Sequence, residues 1–129
     1  MASPVVLKLL EAAGQDVDAA ERLLPGSPDH AVSLACQATE ALAHAMCALE
    51  EVPADDAKDI AQIAGRLPES NLFKTSLLSL AHLSAKATDV LWLDRTEGTR
   101  VSPASRDVKR LIKRVKGLHD EIYNWLPAE

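Results

Sequence analysis

The chain has 129 residues, a net charge of −5 at neutral pH, 47% hydrophobic residues and only 3% aromatic ones. That length bounds it to one domain, residues 1–129, large enough to bury a core without disulfide or metal staples. The apolar and charged fractions exclude a disordered chain, and the dominance of Ala and Leu over β-branched and aromatic residues turns against a strand-built fold.

Ser3-Pro4 opens the first helix, with Ser as N-cap and Pro at the first helical position. Val6, Leu9, Leu10, Ala13, Val17, Ala20 and Leu24 recur at helical spacing, while Lys8, Glu11, Gln15 and Asp18 face away. Gly14 interrupts the pattern at a cost of about 1 kcal/mol against Ala, so a local irregularity is expected there. Pro25-Gly26 stops the helix and Ser27-Pro28 opens the second one.

The second helix, Pro28 to about Val52, has no internal Gly or Pro and is apolar around most of its circumference. Ser33, Gln37, Glu40 and His44 fall on one narrow stripe at 100° per residue, and Glu51 is expected to continue it. Such a helix must be surrounded by other elements. Pro53 ends it. A shorter helix is expected from Ala57 to about Leu67, as a cap on the bundle. Ser70 begins the next long one, with Phe73, Leu77, Leu80, Ser84, Ala87 and Leu91 on one stripe, ending near Trp92-Leu93. Asp94 to Val101 reads as a loop. Ser102-Pro103 gives the opening signal a third time, for a last helix to about Trp125 with a core stripe of Val108, Leu111, Ile112, Val115, Leu118, Ile122 and Leu126. The expected fold is all-α: an up-and-down bundle of four long helices plus one short capping helix.

No stretch reads as a membrane span of about eighteen apolar residues. The first residues lack the layout of a signal peptide, so the expected location is the cytoplasm. Cys36 and Cys47 lie roughly 16 Å apart along one helix, too far to pair, and read as free thiols. No spacing suggests a metal site or another cofactor. Charge is uneven. Arg95 to Lys116 holds eight basic residues against two acidic, a surplus of six, whereas the rest of the chain holds six basic against seventeen acidic. Such asymmetry marks a surface for nucleic acid or an acidic partner.

The segments Ala31-Val-Ser-Leu-Ala-Cys-Gln-Ala-Thr-Glu-Ala-Leu-Ala-His44 and Ala57-Lys-Asp-Ile-Ala-Gln-Ile-Ala-Gly-Arg-Leu-Pro68 resemble the HEPN family of small helical bundles. Its Gln-Ala-x-Glu-x-x-Leu pattern corresponds to Gln37, Ala38, Glu40 and Ala43, with Leu42 one place early. Its His-Asp-Leu-like segment corresponds to Lys58-Asp59-Ile60. The aromatic Arg-Tyr-Pro-Asp-like loop of some members is absent. The resemblance implies a homodimer that stands beside a nucleotidyltransferase-like protein or takes a nucleotide or RNA, with Gln37, Glu40 and His44 lining a groove or facing a partner. Some members are metal-independent ribonucleases of toxin or defence type, with Arg, four to six residues, then His, in the last long helix. Arg114 and His119 have that spacing.

Arg114 and His119 suit RNA cleavage chemically. His supplies an acid or base near neutral pH, and Arg a fixed cation for the charge that builds on phosphorus oxygens. A straight helix nevertheless separates them by about 140°. The alternative is a histidine at the edge of the core and a solvated arginine. Arg106, Lys109, Arg110 and Lys113 form the outer face of the same helix, suited to a phosphate backbone or to acidic residues of the first helix or a second protomer. Glu40 and His44 make two ligands at most, short of a metal site.

Overall fold

The computed structural model describes residues 3–24, 26–97 and 103–126, of which 89–97 and 103–105 are backbone only. Five helices follow one another: α1 (Pro4–Leu23), α2 (Pro28–Leu49), α3 (Ile60–Gly65), α4 (Lys74–Glu97) and α5 (Pro103–Trp125). The fold is all-α, with four long helices and one short one packed together.

All three Ser-Pro signals stand immediately before a helix whose first residue is the proline. At the first, Ser3 Oγ accepts a hydrogen bond from the Val6 N–H at 3.3 Å, as an N-cap does. At the second, Ser27 makes no side-chain cap bond. Its own N–H instead donates to Leu23 O at 2.7 Å and closes the tight turn between α1 and α2.

α2 packs against α1, α3, α4 and α5, and no other helix touches all four of its companions. Around it, α1 meets α5, α5 meets α4 and α4 meets α3, whereas α3 and α1 do not meet. The four helices thus form an arc that stays open between α1 and α3. Ala31, Ala35, Ala38, Ala43 and Ala45 of α2 are all fully buried, and residues this small let the neighbouring helices approach closely. By length and mean hydropathy α2 meets the minimum for a membrane-crossing helix, contrary to the sequence expectation. The helices packed around it account for that hydropathy.

Four boundaries differ from expectation. α2 ends at Leu49, not near Val52, and Glu51 does not continue its polar stripe. Val52 N–H donates to Cys47 O at 2.8 Å and Glu51 N–H to Ala48 O at 3.2 Å, the paired bonds of a Schellman turn. That turn places Glu51 at φ 57°. α3 begins at Ile60, because Asp59 Oδ1 accepts from the Gln62 N–H at 2.8 Å and Gln62 Oε1 accepts from the Lys58 N–H at 2.9 Å. Asp55 and Asp56 lie in the preceding turn, where Asp56 pairs with Arg66 at 2.6 Å. That guanidinium holds the Asp56 carboxyl below its ordinary range. α4 begins at Lys74, with the Leu77 N–H donating to Phe73 O at 2.9 Å; in the turn before it Asn71 Oδ1 accepts from the Phe73 N–H at 2.9 Å while its Nδ2 donates to Glu50 at 2.8 Å. α4 also continues to Glu97, through residues expected in a loop. Arg95 and Glu97 favour helix, and the first strong breaker is Gly98, which with residues 99–102 lies outside the described residues.

An exposed Glu51 in the left-handed region carries a conformational cost that Gly does not. Glu51→Gly is expected to stabilise the protein by about 1 kcal/mol, read as a higher urea midpoint at unchanged slope. A lower midpoint would show that the turn is not what holds the end of α2.

Candidate functional site

α5 is the helix that positions the sequence-predicted catalytic pair. Its buried stripe is Val108, Leu111, Ile112, Val115, Leu118 and Ile122. The two flanks of that stripe meet different neighbours. Arg114 lies on the α4 flank, where its Nη2 donates to Ser79 Oγ at 3.3 Å. Trp125, on the same flank, makes an edge-to-face contact with Phe73 at 5.2 Å between centroids. His119 lies on the α1 flank, where its Nε2 is 3.0 Å from Leu10 O. Nδ1 of the same ring is 3.1 Å from Asp120 Oδ1, and the ring stacks on Tyr123.

Arg114 and His119 are therefore turned toward different helices, as the 140° separation requires. Each makes an inter-helix contact with a described partner. The His119 side chain is only 19% exposed, and Gly14 explains how it fits. A Cβ on Gly14 would lie 3.1 Å from His119 Nε2 and 3.4 Å from Cε1. α1 runs unbroken through Gly14, so the glycine is there for close approach of the imidazole, in place of the irregularity expected from sequence.

The outer face of α5 is different in kind. Arg106, Lys109, Arg110 and Lys113 are all exposed and span roughly 100° of the helix circumference. None pairs with another described residue. Lys113 stands on a ridge between two grooves. One, of about 360 Å³, runs toward α4 and includes Arg114, Gly117 and Glu121. The other, of about 480 Å³, runs toward α1 and includes Lys109, Lys116 and Glu21. Lys116 pairs with Glu21 of α1 at 3.4 Å.

The polar stripe of α2 emerges at the gap in the arc. Ser33, Gln37 and Glu40 are exposed and His44 half-buried. Glu40 turns away from the other three, into a cavity of about 600 Å³ between α2, α3 and α4. Leu78, Ala81, Ala85, Ile60 and Ala61 give that cavity apolar walls; Cys36, Ser84, Thr88, Asp59 and His82 complete the lining with Glu40. No described Lys or Arg lines it, so a phosphate-bearing ligand meets no cation among the described residues. Among the described residues no three His, Cys, Asp or Glu side chains cluster as metal ligands. Cys36 and Cys47 are both free thiols, as expected. Cys47 is buried and its Sγ lies 3.4 Å from Ile63 O of α3. Cys36 is half-buried, and burial pushes its thiol above the ordinary value.

Sequence reasoning did not identify this cavity. Its one signal was Ser84, a hydroxyl on the otherwise apolar stripe of α4. Comparisons with known protein families, curated proteins and solved structures find no match to this chain.

The contact between His119 and Gly14 predicts a coupled pair. Gly→Ala inside a helix ordinarily stabilises by about 1 kcal/mol. Gly14→Ala alone should give no gain, because the ring must be displaced from Leu10. In a His119→Ala background the same change should recover a gain of about 1 kcal/mol. Denaturation of the four proteins of the cycle measures this. Additivity within about 0.3 kcal/mol would show that the ring does not rest on Gly14.

Proposed function

We propose that the chain is a noncatalytic helical binding module of HEPN type, which dimerises and engages a nucleotide or a nucleotidyltransferase-like partner. The observation that carries this reading is the outer face of α5. Arg106, Lys109, Arg110 and Lys113 stand exposed together, without ion pairs to described residues, in a chain whose net charge is −5. Four unneutralised cations on one helical face repel one another, and an anion laid along them removes that repulsion. The grooves on either side of Lys113 give such an anion a track. The HEPN assignment and the dimer rest on the sequence resemblance, with which four long helices and one short one agree.

The alternative is a metal-independent ribonuclease that uses Arg114 and His119. The contacts of Arg114 with Ser79 and of His119 with Leu10 favour the noncatalytic reading. A shared site would have to draw both side chains off their present partners, on two flanks of one helix.

Titration of the protein with ATP and with a short single-stranded RNA, without metal, tests both readings. Saturable binding with no RNA cleavage is expected. Arg110→Glu and Lys113→Glu should each weaken binding, and loss of one phosphate contact should lower the salt slope for RNA by about 0.7. Binding that is absent, or indifferent to both substitutions, overturns the nucleotide reading. Cleavage abolished in both Arg114→Ala and His119→Ala, with helical content unchanged, establishes the ribonuclease instead.

A further inference from the structure

The cavity between α2, α3 and α4 has features that a packing defect lacks. Its floor carries a polar group left unsatisfied. Ser84 is 4% exposed, and its Oγ has no hydrogen-bond partner. The Cys36 thiol lies close enough to feel the Ser84 and Thr88 hydroxyls, but not in a geometry that satisfies Ser84 Oγ. Thr88 spends its own proton on Ser84 O, at 2.9 Å. A buried hydroxyl without a partner costs free energy, and Ala at position 84 would avoid that cost while keeping the apolar stripe. The hydroxyl therefore needs a reason for being there, and it lines a cavity of ligand size.

The lining fixes the chemistry of the occupant. Cys36 and Glu40 are one turn apart on α2, and the Glu40 charge is felt at the Cys36 thiol. Glu40 makes no hydrogen bond or ion pair with a described residue. The other acid, Asp59, has one oxygen engaged in capping α3. With two carboxylates and no Lys or Arg among the described lining residues, the site suits a cation and repels an anion. Leu78, Ala81 and Ala85 offer an apolar wall, and Leu78 remains 37% exposed. A primary ammonium has three donors, enough for a carboxylate and a hydroxyl together.

We propose that this cavity binds a small primary amine with an apolar body, the body lying against Leu78, Ala81 and Ala85 and the ammonium between Glu40 and Ser84 Oγ. The inference goes beyond the reading of the α5 face and uses none of its residues.

The test compares 4-phenylbutylamine, 4-phenylbutanol and 4-phenylbutyrate, which share one apolar body. Two readouts are followed: melting temperature, and the rate at which iodoacetamide alkylates Cys36. Cys47 is 2% exposed and stays silent in the second. The amine should raise the melting temperature saturably and slow alkylation of Cys36. The alcohol should bind roughly fivefold more weakly, the ratio that one partly exposed ion pair supports, and the carboxylate should do neither. Glu40→Gln should bring the amine down to the level of the alcohol. Ala85→Leu, at an exposed helical position on the cavity wall, should abolish both effects while the protein stays folded. Arg110→Glu, aimed at the α5 face, should leave amine binding unchanged, so that failure of either reading is seen separately. The proposal is overturned if the amine has no effect, if the carboxylate matches it, or if Glu40→Gln and Ala85→Leu leave amine binding intact.

Discussion

The structure depends on α2 touching every other helix. A helix surrounded in this way can satisfy its neighbours only if its surface is smooth, and five fully buried alanines provide that. Small side chains bring the backbones of the partners close, so a change of even one methylene on α2 would be felt by several helices at once. They also limit how many partners fit. Four helices cannot close around one while the short α3 stands in for a full-length member, and the arc stays open between α3 and α1. The polar stripe of α2 is the direct consequence. Ser33, Gln37 and His44 occupy the arc of circumference that no helix covers, while Thr39, buried on the covered side, turns its hydroxyl back onto Ala35 O at 2.8 Å.

α5 solves a different problem. It has one apolar stripe and must seal the α1 and α4 sides of the bundle at once. Its flanking residues therefore become ties: His119 to α1, with Lys116 on the same side, and Arg114 to α4, with Trp125 nearby. A residue used as a tie is fixed by its partner, which limits its service as an acid, base or moving cation. What remains uncommitted is the ridge pointing away from the core, where the cations stand. Tyr123, at 61% exposure, stacks on the His119 ring from the solvent side.

The fold was legible in the sequence because its signals are local. Three Ser-Pro pairs marked three helix starts, and the described buried residues of α1, α4 and α5 all fall on the periodic stripes. The 140° between Arg114 and His119 needed only the pitch of a helix. The errors are tertiary. Ser70 looked like the start of α4, but Ser70 to Phe73 stay in a turn in which Asn71 is held by Glu50 from the end of α2. Glu51 looked like one more step of a stripe, yet a turn that hands the chain on to α3 takes it out of the helix. Gly14 looked like a weak point because its partner, His119, lies more than a hundred residues away. The cavity was illegible for the same reason. Its polar groups come from α2, α4 and the cap of α3, and each alone passes for an ordinary surface or core residue.

Charge is sorted across the bundle by the same geometry. The cations gather on α5, in the middle of the arc, and the Glu40 cavity lies beside its open end. The two surfaces therefore stand on different sides of α2 and carry charge of opposite sign. This matters for the polar edge of α2, which the sequence resemblance would have line a groove for a nucleotide or face a partner. Phosphate oxygens placed in the cavity would face Glu40 and Asp59 with no described cation to offset them, whereas on α5 they would meet several. Electrostatics thus assigns anions to α5 and leaves the Glu40 side of α2 to a cation or to a partner that brings one. An anionic ligand found in that cavity would need a positive group of its own, set against Glu40.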